Sequence, residues 1–137
     1  MIRKPDILRW TLWAPMAYVP PAVPRRLITV AETTLFVRQA QDVWNEADRE
    51  AVVNFIAGDP EAGDLIPETG GVRKVRWGRS GTGKRGGVRV IYFHHNDERP
   101  LYLLMVYDKA RRENLSSDEK YMVRKLAVRL KGDEVAR

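Results

Sequence analysis

The chain of 137 residues contains no cysteine, so it has neither a disulfide framework nor a thiolate metal site. That suits the reducing cytoplasm, where the protein is expected to act. Histidine is nearly as scarce, with His94 and His95 adjacent at the end of an apolar stretch. Strand parity sends adjacent residues to opposite faces, and without a matching cluster of acids the two make a poor metal site. They are expected to form a solvent-exposed pair at a loop edge, and neither metal nor cofactor is expected. Long uninterrupted apolar runs are missing too. In "MIRKPDILRWTLWAPMAYVPPAVPRR" basic residues precede an apolar run, as in a targeting signal, but Asp6 and Arg9 interrupt it. Pro15, Pro20, Pro21 and Pro24 then break any helix of membrane-spanning length. Residues 1–26 read as an irregular N-terminal extension, with translation from Met16 or later as the alternative. Internal repeats and low-complexity segments are absent. The length suits one domain, placed at residues 27–131 and followed by a short tail, 132–137.

Acids are missing from one long interval. Between Glu68 and Asp97 there is none, while Arg73, Lys74, Arg76, Arg79, Lys84, Arg85 and Arg89 accumulate. The net charge of +6 therefore hides a polarised chain. Residues 32–68 carry two Arg against nine acids, and residues 69–137 carry seventeen Lys and Arg against eight acids. A basic stripe of this kind is what a polyanion surface needs, because neutralised phosphates release their counterions. A solvated face explains the charge run about as well.

Within the stripe, "GRSGTGKRGG" satisfies the first seven positions of the phosphate-loop pattern G-x-x-x-x-G-K-[ST]. Arg85 stands where a hydroxyl should bind Mg²⁺, and the following "VRVIYFHH" is β-branched and aromatic, reading as a strand and not a helix. The segment is therefore expected to be a hairpin connection whose glycines supply positive φ.

Hydrophobic spacing supplies the scaffold. "RLITV", 26–30, reads as a short strand. A helix follows Thr34 with Leu35, Phe36, Ala40, Val43 and Trp44 on one face. A second helix, capped by Asn45, buries Ala51, Val52, Phe55 and Ile56 and stops at Gly58. "VRKVRW", "VRVIYFHH" and "LYLLMVYD" form an antiparallel meander. Ser116 and Glu119 make a capping box for a last helix, with Leu115 as its staple. The order β-α-α-β-β-β-α predicts a small α+β domain, an antiparallel sheet with its helices packed on one face. If Val75, Trp77, Val90, Tyr92, Leu104 and Val106 face the helices, then Lys74, Arg76, Arg89, Tyr107 and Lys109 converge on the open face. Cations gathered with a phenol repel one another, a cost tolerated chiefly at functional sites. Long side chains that merely snorkel to solvent are the bland alternative.

"GKRGGVRVIYFHH", 83–95, followed by "PLYLLMVYDKARRENLSSDEK", 100–120, resembles the RelE/HigB type of bacterial toxins from type II toxin–antitoxin pairs. "DPEAGDLIPETGGVRKVRW", 59–77, extends the likeness, which covers about residues 27–131. The resemblance implies a RelE-like fold and a metal-independent mRNA endonuclease, an mRNA interferase that works in the ribosomal decoding site and arrests growth. It also implies a cognate antitoxin, plausibly with a helix-turn-helix, so that DNA is met only through the antitoxin. The family's catalytic residues carry over to Lys74, Arg76 and Arg89. After the last strand Tyr107 and Lys109 are available, and Lys109, Arg111 and Arg112 all stand as candidates for the family's catalytic arginine. A tyrosine that some members place near the final helix has no clear counterpart.

The chemistry can be argued from the residues themselves. Cleavage of RNA by its own 2′-hydroxyl needs a base, cations against the developing phosphorane charge, and an acid for the leaving 5′-oxygen. Lys74, its ammonium disfavoured by neighbouring cations, is the candidate base. Arg89 neutralises the phosphate, Tyr107 stacks on a base or orients the phosphate, and Lys109 protonates the leaving group. Arg73, Arg79, Lys84, Arg85, Arg111 and Arg112 are the RNA-binding candidates around them. Two other classes share these features: a protein that binds RNA or the ribosome without cutting, and a gyrase-inhibiting toxin of the same fold.

Overall fold

The computed structural model describes residues 28–78, 87–112 and 114–135. The N-terminal extension falls outside them, as do Arg79, Lys84 and Arg85. Five strands, β1 (Val30–Glu32), β2 (Asp64–Leu65), β3 (Val72–Trp77), β4 (Val88–Phe93) and β5 (Leu101–Asp108), form one mixed sheet ordered β1-β5-β4-β3-β2. Three helices accompany it: α1 (Thr34–Val43), α2 (Glu46–Gly58) and α3 (Ser117–Val135). The α+β class and the β3-β4-β5 meander are those expected. β1 begins later than expected, at Val30, and pairs parallel to β5, while the two-residue β2 adds an edge beside β3.

Side-chain caps fix the helix starts. Thr33 Oγ1 accepts from the Phe36 amide at 3.1 Å and donates to the Leu103 carbonyl at 3.0 Å, so α1 starts at a point tied to β5. Asn45 Oδ1 accepts from the Asp48 amide at 2.8 Å and starts α2. Arg49 then pairs with Glu32 and Glu46, joining α2 to β1. Phe36, Ala40, Val52 and Ile56 of this hairpin pack on Val75, Val88, Val90, Tyr92, Leu103 and Val106. Ala51 and Phe55, expected in that core, are exposed because the sheet covers a narrower arc of α2 than its apolar residues span. Phe55 instead lies over the Trp77 ring, centroids 5.2 Å apart.

The opposite face of the sheet is not left open. Val72, Ile91, Phe93, Leu104, Met105 and Tyr107 form a second core with Leu115, Val123 and Ala127, flanked by Leu126 and Leu130. Placing all helices on one face therefore needs correction: α1 and α2 take one face and α3 the other. The reason is solvation, since Ile91, Phe93 and Met105 together are too apolar to be left in water. All six residues of β4 are buried, the pattern of a strand covered on both sides. A bulge adjusts the faces. Ile91 pairs with Met105 and Tyr92 with Leu103, so Leu104 is the extra residue. Leu103 therefore joins the hairpin core and Leu104, expected there, faces α3.

Tyr92 is buried yet satisfied: its hydroxyl donates to the Pro60 carbonyl at 2.7 Å and accepts from the Gly63 amide at 2.9 Å. Burial raises its pKa above the usual phenol value, only partly offset by the Gly63 bond.

Gly87 opens the hairpin into β4 for a different reason than the left-handed φ expected of that loop. A Cβ there would stand 2.5 Å from the Trp77 carbonyl oxygen, so only glycine lets β3 and β4 approach at this point. Among the described residues, positive φ occurs at Glu68, Gly70 and Gly71, before β3, while Gly81, Gly83 and Gly86 of the hairpin loop lie outside the described residues. Gly87→Ala is expected to destabilise the fold by about 1–3 kcal/mol by overpacking, read as a lower denaturant midpoint at unchanged m-value.

Candidate functional site

Strand pairing builds the site as a row across three strands. Arg76 on β3 lies directly opposite Arg89 on β4, which lies directly opposite Tyr107 on β5. Residues so placed have Cβ atoms roughly 4.5–5.5 Å apart, and like charges there repel. Depth separates them: Arg76 is exposed, whereas Arg89 and Tyr107 are 2% and 6% exposed. Arg89 is not a free cation within the fold, as a buried guanidinium requires partners.

The turn after β5 brings a second guanidinium over this row. The Asp108 side chain accepts from the Ala110 amide at 2.9 Å, and its carbonyl accepts from the Arg111 and Arg112 amides at 3.1 and 3.4 Å, curling the chain back. Arg112 Cζ consequently stands 4.3 Å from the centroid of the Tyr107 ring. Glu119 holds Arg112 from the other side through an ion pair. The same carboxylate accepts from the Ser116 amide at 2.9 Å while Ser116 Oγ accepts from the Glu119 amide at 3.1 Å, the reciprocal bonds of a capping box. Burial alone would raise the Glu119 pKa, but the bonds from Arg112 and Ser116, with the Arg112 charge, outweigh it and hold the carboxyl below its ordinary value.

Lys74 sits one pleat along from Arg76, opposite Ile91, and its Nζ donates to Asn114 Oδ1 at 3.1 Å. It is diagonal to Arg89, at a Cα separation of roughly 7–8 Å. Two grooves adjoin the row. One of about 240 Å³ is lined by Tyr107, Arg111, Arg112 and Asp42 among others. Another of about 510 Å³ contains Lys74, Asn114 and Lys120.

Arg76, Arg89 and Tyr107 are thus brought together, with Lys74 beside them. Lys109 is half-buried just beyond β5, where its amide donates to the Gly87 carbonyl at 3.2 Å, and Arg111 is exposed at the rim. Arg73 lies apart from the row. Parity turns it to the other face, where it donates to the Gly63 and Glu61 carbonyls at 2.7 and 3.3 Å and secures the loop before β2. The histidines lie beyond the far end of β4. His95 is exposed as expected and stacks on Phe93, whereas the His94 side chain is only 9% exposed, with Nε2 3.6 Å from Asp97 Oδ1. Asn114 and the second role of Glu119 escape the sequence reading. The capping box marks Glu119, but only the turn at Asp108 reveals that Arg112 folds back onto it.

Fold and site together define a small α+β protein with an arginine–tyrosine cluster at one end of a sheet buried on both faces. The chain belongs to the RelE toxin family. Residues 30–135, most of its length, match the family described as the RelE toxin of the RelE/RelB toxin–antitoxin system. No helix among the described residues is long and apolar enough to cross a membrane.

Proposed function

We propose that this RelE-family toxin is an endoribonuclease that cuts messenger RNA on the ribosome and is silenced by a cognate antitoxin. The observation that carries the reading is the row Arg76–Arg89–Tyr107 with Arg112 stacked over the phenol. In-line attack of a 2′-hydroxyl builds negative charge on the phosphate and on the leaving 5′-oxygen, and fixed guanidinium groups stabilise both. Arg89 supplies a rigid charge at the floor, and exposed Arg76 meets the strand as it enters. Tyr107, clamped by Arg112, orients phosphate or base. Lys74, steadied by Asn114, takes the 2′-hydroxyl proton. Lys109 returns a proton to the leaving oxygen. This scheme draws on the RNA's own nucleophile and the chain's own cations, without metal or cofactor.

Groove size supports the ribosome dependence in this reading. Grooves of about 240 and 510 Å³ hold a nucleotide or two, too little to fix a flexible strand in line. The ribosome supplies that positioning.

The test is to induce the protein in cells and map RNA 5′ ends. Growth should stop and new ends should cluster inside translated messages, while the same purified RNA without ribosomes is cut far less. Equal cutting of free RNA would remove the ribosome from the reading. Arrest without any cuts would point to a different target, gyrase among them. Co-expression of the adjacent small gene should restore growth and yield a co-purifying complex.

A further inference from the structure

The groove of about 510 Å³ that contains Lys74 is not lined as a channel for phosphate alone would be. Lys74 and Lys120 stand in it, but so does the carboxylate of Asp64, and Leu65, Ile66 and Pro67 make one wall apolar. Asp64 is the only acid among the described residues that line the groove, and it lies directly opposite Lys74 across the β2–β3 pair. The two make no ion pair. Lys74 Nζ donates instead to Asn114 Oδ1 at 3.1 Å, and the exposed Asp64 carboxylate has no hydrogen-bond partner among the described residues. The Lys74 bond also orients the Asn114 amide. An ammonium only donates, so Oδ1 is the atom it meets and the Nδ2 hydrogens are left to donate elsewhere. The groove therefore offers an acceptor-only group from β2 and a donor group from the segment before α3.

Asp64 is fixed in place although β2 is only two residues long. Gly63, just before it, is pinned through both backbone groups: its amide donates to the Tyr92 hydroxyl at 2.9 Å and its carbonyl accepts from Arg73 at 2.7 Å. A Cβ at position 63 would stand 2.9 Å from the Lys74 carbonyl oxygen, so glycine lets this edge close onto β3. Both anchoring side chains belong to the other face of the sheet, and they hold the carboxylate without entering the groove.

A carboxylate repels phosphate, so beside Lys74 it weakens the hold on an RNA backbone. What it suits is a base edge with adjacent donors. Guanine presents N1–H and N2–H side by side to one carboxylate, with the O6 acceptor next to them for an amide N–H. Adenine and cytosine offer one exocyclic amine beside a ring acceptor, and uracil offers one N–H flanked by carbonyls, so each sets an acceptor against Asp64. Single-stranded bases are read on this edge, and the apolar wall from Leu65 to Pro67 covers the ring face. We propose that the groove is a guanine-reading subsite for the nucleotide on the 5′ side of the cut, with Asp64 accepting from N1 and N2 and Asn114 donating to O6. The proposal rests on the endonuclease reading above and names the base it selects. Lys74 sets the position: the ribose whose 2′-hydroxyl meets Lys74 carries its base on the adjoining carbon, and that base enters the groove that Lys74 lines.

The experiment uses the full chain on ribosomes programmed with messages that differ only in that nucleotide, read as single-turnover cleavage. The parent should cut guanine faster than adenine by roughly 10- to 100-fold, the worth of a bidentate base contact. Inosine, which lacks the N2 amine, should fall roughly tenfold below guanine, the loss of one hydrogen bond to a charged group. Asp64→Asn should bring guanine and inosine together, because its amide accepts one donor and opposes the other. Glu50→Gln, at an exposed acid on α2 outside the groove, should keep the parent's guanine-to-inosine ratio. Thermal melts check the fold of each variant, and the inosine comparison on the parent decides the matter even where Asp64→Asn is unstable. A parent that cuts guanine and inosine alike overturns the subsite and leaves cleavage standing. So does a guanine preference that survives in Asp64→Asn, which assigns it to the ribosome, or one confined to the 3′ side of the cut. A parent that cuts no message overturns the endonuclease reading and the subsite with it, an outcome distinct from cutting without selection.

Discussion

Arg89→Ala is expected to reduce cleavage of translated RNA by roughly 10²–10³, the effect of removing one preorganised donor from a developing oxyanion. Arg89 is 2% exposed at the centre of the row, so its charge acts with little solvent screening. That burial complicates the alanine variant, because a cavity replaces a large side chain and costs stability as well as charge. Arg89→Met separates the two effects. It fills the space without the charge, so it should be as inactive as alanine but more stable. Arg89→Lys should recover only part of the rate, since lysine keeps a positive charge without the planar fork. Single-turnover cleavage on programmed ribosomes and thermal melts of each variant provide the readouts. His94→Ala and His95→Ala should cleave nearly as well as the parent. A fully active Arg89→Met alongside a dead histidine variant would put the chemistry at the other end of β4.

Arg112→Ala is expected to cost about as much, roughly 10² in rate, although Arg112 stands outside the three-strand row. Its guanidinium is the cation fixed over Tyr107, held there by the turn at Asp108 and the ion pair with Glu119. Glu119 acts through Arg112. Glu119→Gln keeps an acceptor for the Ser116 amide but loses the charge, so it should lower the rate roughly tenfold, the worth of a charge-assisted hydrogen bond. The effect should fall on the rate constant, with affinity for ribosomes unchanged, and Glu119→Asp should restore little because the shorter side chain misses Arg112. The pH dependence has a definite sign. The Glu119 pKa is depressed in the fold, so its contribution to stability is complete above the ordinary value of 4.5 and is lost as pH falls through the folded value. The parent should therefore lose stability in acid more steeply than Glu119→Gln, and the two curves should run parallel near neutrality.

β3 and β5 were legible to the residue, because β-branched and aromatic runs bounded by turn signals report local conformation directly. The caps at Asn45 and Ser116 were equally plain, since one side-chain oxygen placed near a free amide is a matter of short spacing. The row Arg76, Arg89, Tyr107 followed from parity, and pairing across the meander keeps parity wherever no bulge intervenes. What depended on distant parts of the chain could not be read in this way. The extra residue at Leu104 exchanges the faces of β5 beyond it, and no local signal marks it. Arg73 looks the same as Lys74 in a list of cations, yet one residue of difference turns it to the other face and commits it to the Gly63 carbonyl.

The second covered face had a trace in the sequence, for Ile91, Phe93 and Met105 are too apolar for a wet surface, but only the packing of α3 showed what covers them. By itself, then, the sequence determined the three helices, the meander strands and the basic row through side-chain periodicity and short-range capping, and the family through the resemblance of its motifs. The tertiary structure alone decided that α3 closes the sheet and that Arg112 turns back onto Tyr107 under the hold of Glu119. Those outcomes depend on contacts between residues far apart in sequence, where burial of apolar area and pairing of half-buried charge act together.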